Sequence, residues 1–372
     1  MNVDRVQVLA HRIAAHGLHR AGADAAELAV FDLGLQDSMR DTALLGLVAR
    51  LGGEVTPESL VDDDRLALAW SHRGAPHFHR RAGLAELTAS LVPLDEADAL
   101  ARIMWQRKQV REAGLDALEV LFTTARAIRK VVKGPMTKGA VSTAITKILP
   151  PAFSRWCRGC DATHVHEQLM RVATPHAGVR LEAGESPATL APLEDRGPIR
   201  TKPDVAAATR VVERYLRING PAAPGDAAGY VGTTRSALDR MWPEGLAEVD
   251  VDGRRTFLPA DLLPALENPP EPDLVRLLPP LDPFVQARDK AVLVPDPARQ
   301  KEVWRMLGNP GVLLACGEIA GIWRTKSAGK RLAFAITAFD PLRPADRDAA
   351  EAEATRVATA RGFTAPTVTW LP

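Results

Sequence analysis

The sequence predicts an α+β fold made of repeated helix-turn-helix units, one with a β-hairpin wing, followed by a strand-rich C-terminal segment. Three observations predict it. Residues 133–145, KGPMTKGAVSTAI, and residues 219–231, NGPAAPGDAAGYV, each follow a helical stretch rich in Val and Arg. Both copies have a Gly-Pro stop, a short polar turn and then a small-residue helix, which is how a helix-turn-helix is assembled. The second copy continues into two alternating runs, 246–251 and 254–258, around Asp252-Gly253, the strongest short-range hairpin signal. Beyond residue 272, apolar runs at 311–320 and 332–338 read as strands.

The elements follow in chain order. Residues 3–17 and 39–50 have helical spacing, with Val6, Leu9 and Ile13, then Ala43, Leu44, Leu47 and Val48, on one face. Residues 66–70, LALAW, read as a buried strand or short helix, and Arg73 to Arg80 follows a turn at Gly74. Helices are expected over 95–112 and 115–132, separated at Gly114, with apolar stripes Leu100, Ile103, Met104 and Leu118, Leu121, Phe122, Ile128. At each Gly-Pro, Gly is expected in a left-handed cap while Pro ends the helix. A helix near 166–174 precedes Val179, Arg180 and Leu181, one candidate wing strand, and residues 183–203 read as a linker rich in Pro, Gly and charge. In the second copy Thr233 or Thr234 caps a nominal recognition helix over 235–241. A closing helix over 344–361 and a strand over 367–370 complete the chain. The expected domains are 1–95, a winged-helix-like region; 96–182, a second helix-turn-helix region; the linker 183–203; 204–266, a third winged helix; and 273–372, a β-rich segment with a basic hairpin.

Composition narrows the function classes. Hydrophobic residues at 46% and charged residues at 25% exclude general disorder. The 47 basic and 46 acidic side chains nearly cancel, so any nucleic-acid affinity must come from local clusters and not from bulk charge. Asp4, Arg5 and Arg12 interrupt the N-terminal apolar residues, which excludes a signal peptide, and no run approaches the ~20 apolar residues of a membrane span. Three cysteines are too few for a disulfide framework, so a reduced, cytoplasmic protein is expected.

Several segments together carry a family resemblance: Leu33-Gly-Leu-Gln-Asp-Ser38, Arg73-Gly-Ala-Pro-His77, the two helix-turn-helix copies, Leu281-Asp-Pro-Phe284 and Gly321-Ile-Trp-Arg324. In that order they resemble the AlkZ/YcaQ-type family of winged-helix DNA glycosylases. The resemblance implies tandem winged-helix motifs in a C-shaped arrangement with a C-terminal β-barrel, gripping double-stranded DNA. It also implies excision of alkylated bases or unhooking of crosslinks. The family's catalytic signature is Gln, a hydrophobic residue, then Gln or Asp. Here Gln36-Asp37-Ser38 stands at that place, with Asp in the middle and Ser third.

Cleavage of an N-glycosidic bond builds positive charge on the sugar, which an amide or carboxylate can stabilise while holding the attacking water. The expected catalytic residues are therefore Gln36, through its carbonyl, Asp37 as base, and Ser38 as a water-positioning group. The competing reading is that Asp37 and Ser38 cap a helix starting near Met39. No lysine nucleophile stands out near the motif, so a monofunctional, hydrolytic glycosylase is expected. The alternatives are a non-enzymatic DNA-binding protein, such as a regulator or lesion sensor, and a protein-interaction scaffold.

Candidate DNA contacts are Arg73, His77, His79 and Arg80, followed by Arg81; Lys133 and Lys138 of the first repeat; and Trp323, Arg324, Lys326, Lys330 and Arg331 on a hairpin whose tip contains Gly329. Each cluster also reads as an ordinary solvated face. Cys157, Cys160, His164 and His166 have the residue types of zinc ligands, but four ligands within ten residues demand a very tight loop. Buried thiols in a packed turn are expected instead, with no metal and no cofactor. A monomer associated with the nucleoid completes the expectation.

Overall fold

A computed structural model describes residues 1–39, 41–103 and 107–372, and it divides the chain into two compact units. The first unit is drawn from three stretches: Met1–Asp63, Arg214–Ala227 and Glu244–Pro372. Its N-terminal helix, Arg5–Ala15, begins where Asp4 accepts a 2.8 Å bond from the Gln7 amide. The helix buries Leu9 and Ile13 in a core with Leu18, Ala49, Phe284, Leu293, Val312 and Leu314. Val6, assigned above to the apolar face, is exposed.

Strands Leu246–Val251 and Arg254–Pro259 form the expected hairpin, with Val251 opposite Arg254. Asp252 and Gly253 have φ of 50° and 82°, the two positive values that a tight two-residue turn requires and that Asp-Gly tolerates. The C-terminal strands are Val275–Leu278, Gly311–Ala315, Glu318–Ala328, Arg331–Ala338 and Ala365–Leu371. They lie side by side in that order, and the first and last do not pair. The segment is thus an open sheet and not a β-barrel. Trp323 explains one glycine in it: a Cβ at Gly311 would lie 2.2 Å from the indole, whose N–H donates to Leu278 O. The helix Pro344–Ala360 packs against both the Val275–Leu278 strand and the helix Thr42–Val48.

The second unit comprises Asp64–Glu213 and Ala228–Pro243. The strands Pro76–Arg80, Leu66–Trp70, Val179–Leu181, Thr189–Pro192 and Met136–Thr137 are successive antiparallel neighbours. LALAW is therefore a strand, with Ala67 and Ala69 packed on Leu84 and Leu87. The segment 183–203 is not a plain linker. It contributes the Thr189–Pro192 strand, whose Leu190 is fully buried; its Pro and Gly content describes only the flanks.

Helices Glu96–Arg102, Arg107–Glu112 and Ala117–Val131 occupy the two predicted helical stretches, and Met104 lies outside the described residues. Neither Gly134 nor Gly220 takes a positive φ. At Gly220 the requirement is close approach instead, since a Cβ there would lie 2.2 Å from Leu216 O. The helices Val205–Asn219, Pro224–Val231 and Arg235–Arg240 follow in the predicted order, the last capped by Thr234 Oγ1 at 3.1 Å from the Ala237 amide. Among the described residues, no helix is long and apolar enough to cross a membrane.

Two ion pairs are sealed inside the first unit: Arg12 with Asp289 at 2.5 Å and Arg50 with Asp282 at 2.8 Å. Burial works against the Arg12 guanidinium, but the charge and hydrogen bonds of Asp289, with smaller contributions from Tyr215 and Asp226, together raise its proton affinity above the ordinary value. Removing one partner of such a pair leaves a buried charge uncompensated. Asp282→Ala should therefore cost about 3–5 kcal/mol in a denaturant titration. Asp261→Ala, which breaks the exposed pair with Arg217, should cost at most about 1 kcal/mol. Equal losses at the two positions would show that burial does not set the cost.

Candidate active site and nucleic-acid interface

Gln36 ends the short strand Leu35–Gln36, and its side chain is buried. Its amide nitrogen donates a 2.8 Å bond to Ser38 Oγ, while its carbonyl oxygen is shielded from solvent and has no hydrogen-bond partner among the described residues. An unpaired buried carbonyl costs free energy of order 1–3 kcal/mol, and a water molecule relieves that cost. Ser38 is exposed and accepts this bond from the Gln36 amide, which differs from the water-positioning role read from the sequence.

Asp37 is half-buried. Its Oδ1 accepts from the Ala43 amide at 3.2 Å and from Thr42 Oγ1 at 3.4 Å. It thus caps the helix Thr42–Val48 from five residues before its start, while the nominal cap residue, Asp41, sits in the left-handed region at φ 64° without a side-chain cap bond. The sequence-based cap is right in kind and displaced along the chain: the helix starts at Thr42, not near Met39. Asp41 turns its carboxylate to Arg361, whose Nε donates to Oδ2 at 2.9 Å and whose Nη1 donates to Thr325 Oγ1 at 3.3 Å. One guanidinium therefore ties the loop after the motif to the C-terminal sheet. Sequence reasoning missed Arg361, because no local pattern links residues 320 positions apart.

That sheet carries the basic face. Arg324 opposes Ala335, Lys326 opposes Ala333, and Ala328 opposes Arg331. Opposed residues share a face and alternate residues share a side, so Arg324, Lys326 and Arg331 rise from one surface among alanines. Lys330 sits in the exposed turn beside Gly329, at φ 58°. Trp323 lies on the opposite, buried face with Phe334 and Ile336, so its part is packing and not contact. Arg324 also donates to Gly308 O at 2.7 Å.

In the second unit the basic stretch after LALAW turns inward. His77 and His79 are buried, with Ser71 Oγ 2.8 Å from His77 Nδ1 and 2.9 Å from His79 Nε2. Burial, followed by the neighbouring His79, His72 and Arg73, holds His77 well below the ordinary histidine range, so the ring is neutral at physiological pH. The phosphate contacts expected of these histidines give way to support of the loop. Arg73, at φ 58°, donates to Tyr230 O and lies 4.9 Å over the Tyr230 ring. Arg80 is half-buried and Arg81 exposed; Lys133 is exposed, and Lys138 pairs with Glu167 at 2.9 Å.

Burial, reinforced by Asp41, pushes the Asp37 carboxyl above its ordinary value against the opposing Ala43 and Thr42 bonds. A carboxyl raised on folding favours the fold only while protonated. That contribution is complete below the unfolded-state value and is lost as pH rises through the folded-state value. The advantage of Asp37→Asn over the parent chain in denaturant midpoint should therefore grow between about pH 4 and about pH 7. A difference that shrinks with pH would mean that the carboxylate is stabilised in the fold.

Comparison with known proteins gives these features a context. The family model described as DNA glycosylase AlkZ-like matches residues 30–360. The solved structure of Streptomyces sahachiroi DNA glycosylase AlkZ is similar in fold, with a TM-score of 0.77 and 20% identity over 100% of each chain. No curated protein sequence matches the chain. With the match running from before Gln36 to the end of the Pro344–Ala360 helix, the chain belongs to the AlkZ-like DNA glycosylase family.

Proposed function

We propose that this protein hydrolyses the N-glycosidic bond of alkylated or crosslinked bases in double-stranded DNA. The observation that carries the reading is the buried carbonyl of Gln36, without a partner among the described residues, one residue from a largely desolvated carboxylate, in a chain of a glycosylase family. The Gln36 carbonyl accepts a hydrogen bond from the attacking water, and Asp37 takes its proton. As the water oxygen bonds to the sugar carbon, the C–N bond breaks and the base leaves with its electron pair. An alkylated base that is already cationic needs no proton to depart. Ser38 holds the amide so that oxygen, and not nitrogen, faces the water.

The binding surface in this reading is the face of Arg324, Lys326 and Arg331 with Lys330 at its turn, and Lys133 and Arg80 are separate phosphate contacts on the second unit. The order of three helices and a hairpin over 205–259 supports a winged helix, and the helix, strand and helix order over 117–146 supports a second. The Asp37 cap bond favours a second reading, a lesion-binding protein without catalysis, because it engages one oxygen of the base.

Release of 7-methylated purine from a duplex, measured in single turnover, separates the two. Gln36→Ala should slow release by about 10²–10³-fold and Asp37→Asn by about 10²–10⁴-fold. If the parent chain releases no base yet binds duplex in a salt-dependent manner, the catalytic reading fails and the binding reading stands. Each of Arg324, Lys326 and Arg331 replaced by Ala should lower the slope of log affinity against log salt by about 0.9, and the triple variant by about 2.7. An unchanged slope would remove this face from the DNA interface.

A further inference from the structure

Strands Ser154–Cys157 and Ala162–Val165 pair only with each other, and a two-stranded hairpin is marginal without further support. Arg155 lies opposite His164 and Cys157 opposite Ala162, so Cys157 and His164 project from the same face. The turn between them closes through the Cys160 amide on Cys157 O at 3.2 Å, with Asp161 at φ 51°. It curls Cys160 over that face. One ligand atom from each of Cys157, Cys160 and His164 lies within 4.8 Å of the other two.

The histidine is oriented as a metal-binding histidine is. Its Nδ1–H donates to Val165 O at 2.7 Å, which leaves the lone pair on Nε2. That Nε2 is shielded from solvent and has no hydrogen-bond partner among the described residues. The thiols are not the buried pair expected from the sequence, since Cys157 is half-exposed and Cys160 exposed. His166 is outside the group: it is buried at the start of the helix Glu167–Ala173, and burial lowers it to about 4.

We propose that Cys157, Cys160 and His164 form a zinc site that staples this hairpin. The structure supplies three ligands, and solvent completes the tetrahedron. Zinc–sulfur bonds of about 2.3 Å place tetrahedral ligand atoms about 3.7 Å apart, so side-chain rotation of about 1 Å closes the set. Binding displaces one proton from each thiol, and two thiolates balance the charge of the ion. The site stands independently of the glycosylase reading.

Metal analysis of the full chain, purified under reducing conditions and dialysed against zinc-free buffer after loading, tests it. About one equivalent of zinc is expected, and cobalt substitution should give thiolate-to-metal absorption of a two-thiolate site. Cys157→Ser, Cys160→Ser and His164→Ala should each lose most of the bound metal, while Cys316→Ser, remote in sequence from the hairpin, should retain it. Reduced parent chain that retains no zinc and shows no thiolate-to-cobalt absorption overturns the site. So does loss of the metal in Cys316→Ser.

Discussion

The first unit depends on one buried guanidinium. Arg50 donates from Nε to His16 O, from Nη1 to Gly46 O and Asp282 Oδ2, and from Nη2 to Asp282 Oδ1. Asp282 in turn accepts from the Phe284 amide at 2.9 Å, and Leu281 before it takes φ 65° to make the turn. Three distant segments are thereby pinned at one point: the end of the first helix, the helix that follows Asp37, and the Leu281 to Phe284 turn. A fully desolvated pair adds little net stability over an apolar substitute, but it accepts few alternative partners. Its value here is registration. The helix capped by Asp37 can sit in only one place relative to the core that Phe284 fills.

Around this point the electrostatics are graded. Burial lowers His16, beside Arg50 and bonded to Asn219, to about 3, so no second positive charge competes for Asp282. Nearer the surface Arg361 serves Asp41, whose charge adds to the effect of burial in raising the proton affinity of Asp37.

Much of this was legible in the sequence because it is local. The Asp252-Gly253 turn, the Thr234 cap, LALAW and the helix over 344–360 are each encoded within a dozen residues, where periodicity and turn chemistry act. What was illegible rests on side chains meeting over long separations. His77 and His79 look like surface cations until Ser71 is seen between them, and Trp323 reads as a partner of its charged neighbours until strand alternation puts it on the other face. The Thr189–Pro192 strand was hidden by the Pro and Gly around it. The barrel expectation came from family likeness, and the register of the five strands decided against it. For the candidate site, the sequence nominated Gln36, Asp37 and Ser38 through the family likeness. The orphaned oxygen of Gln36 and the grip of Arg361 on Asp41 are properties of three dimensions alone.

The scattered make-up of the first unit has a consequence for how the protein comes into being. A ribosome delivers Gln36 and Asp37 among the first forty residues, yet the acid that neutralises Arg50 arrives at position 282 and the cation that holds Asp41 at position 361. For most of synthesis the motif is therefore a loop without its anchors, attached to an arginine that cannot yet be buried. Domains usually fold in order as they emerge. Here the second unit's Asp64–Glu213 stretch emerges before the first unit can close, so Gln36 and Asp37, made before that stretch, acquire their final form after it can.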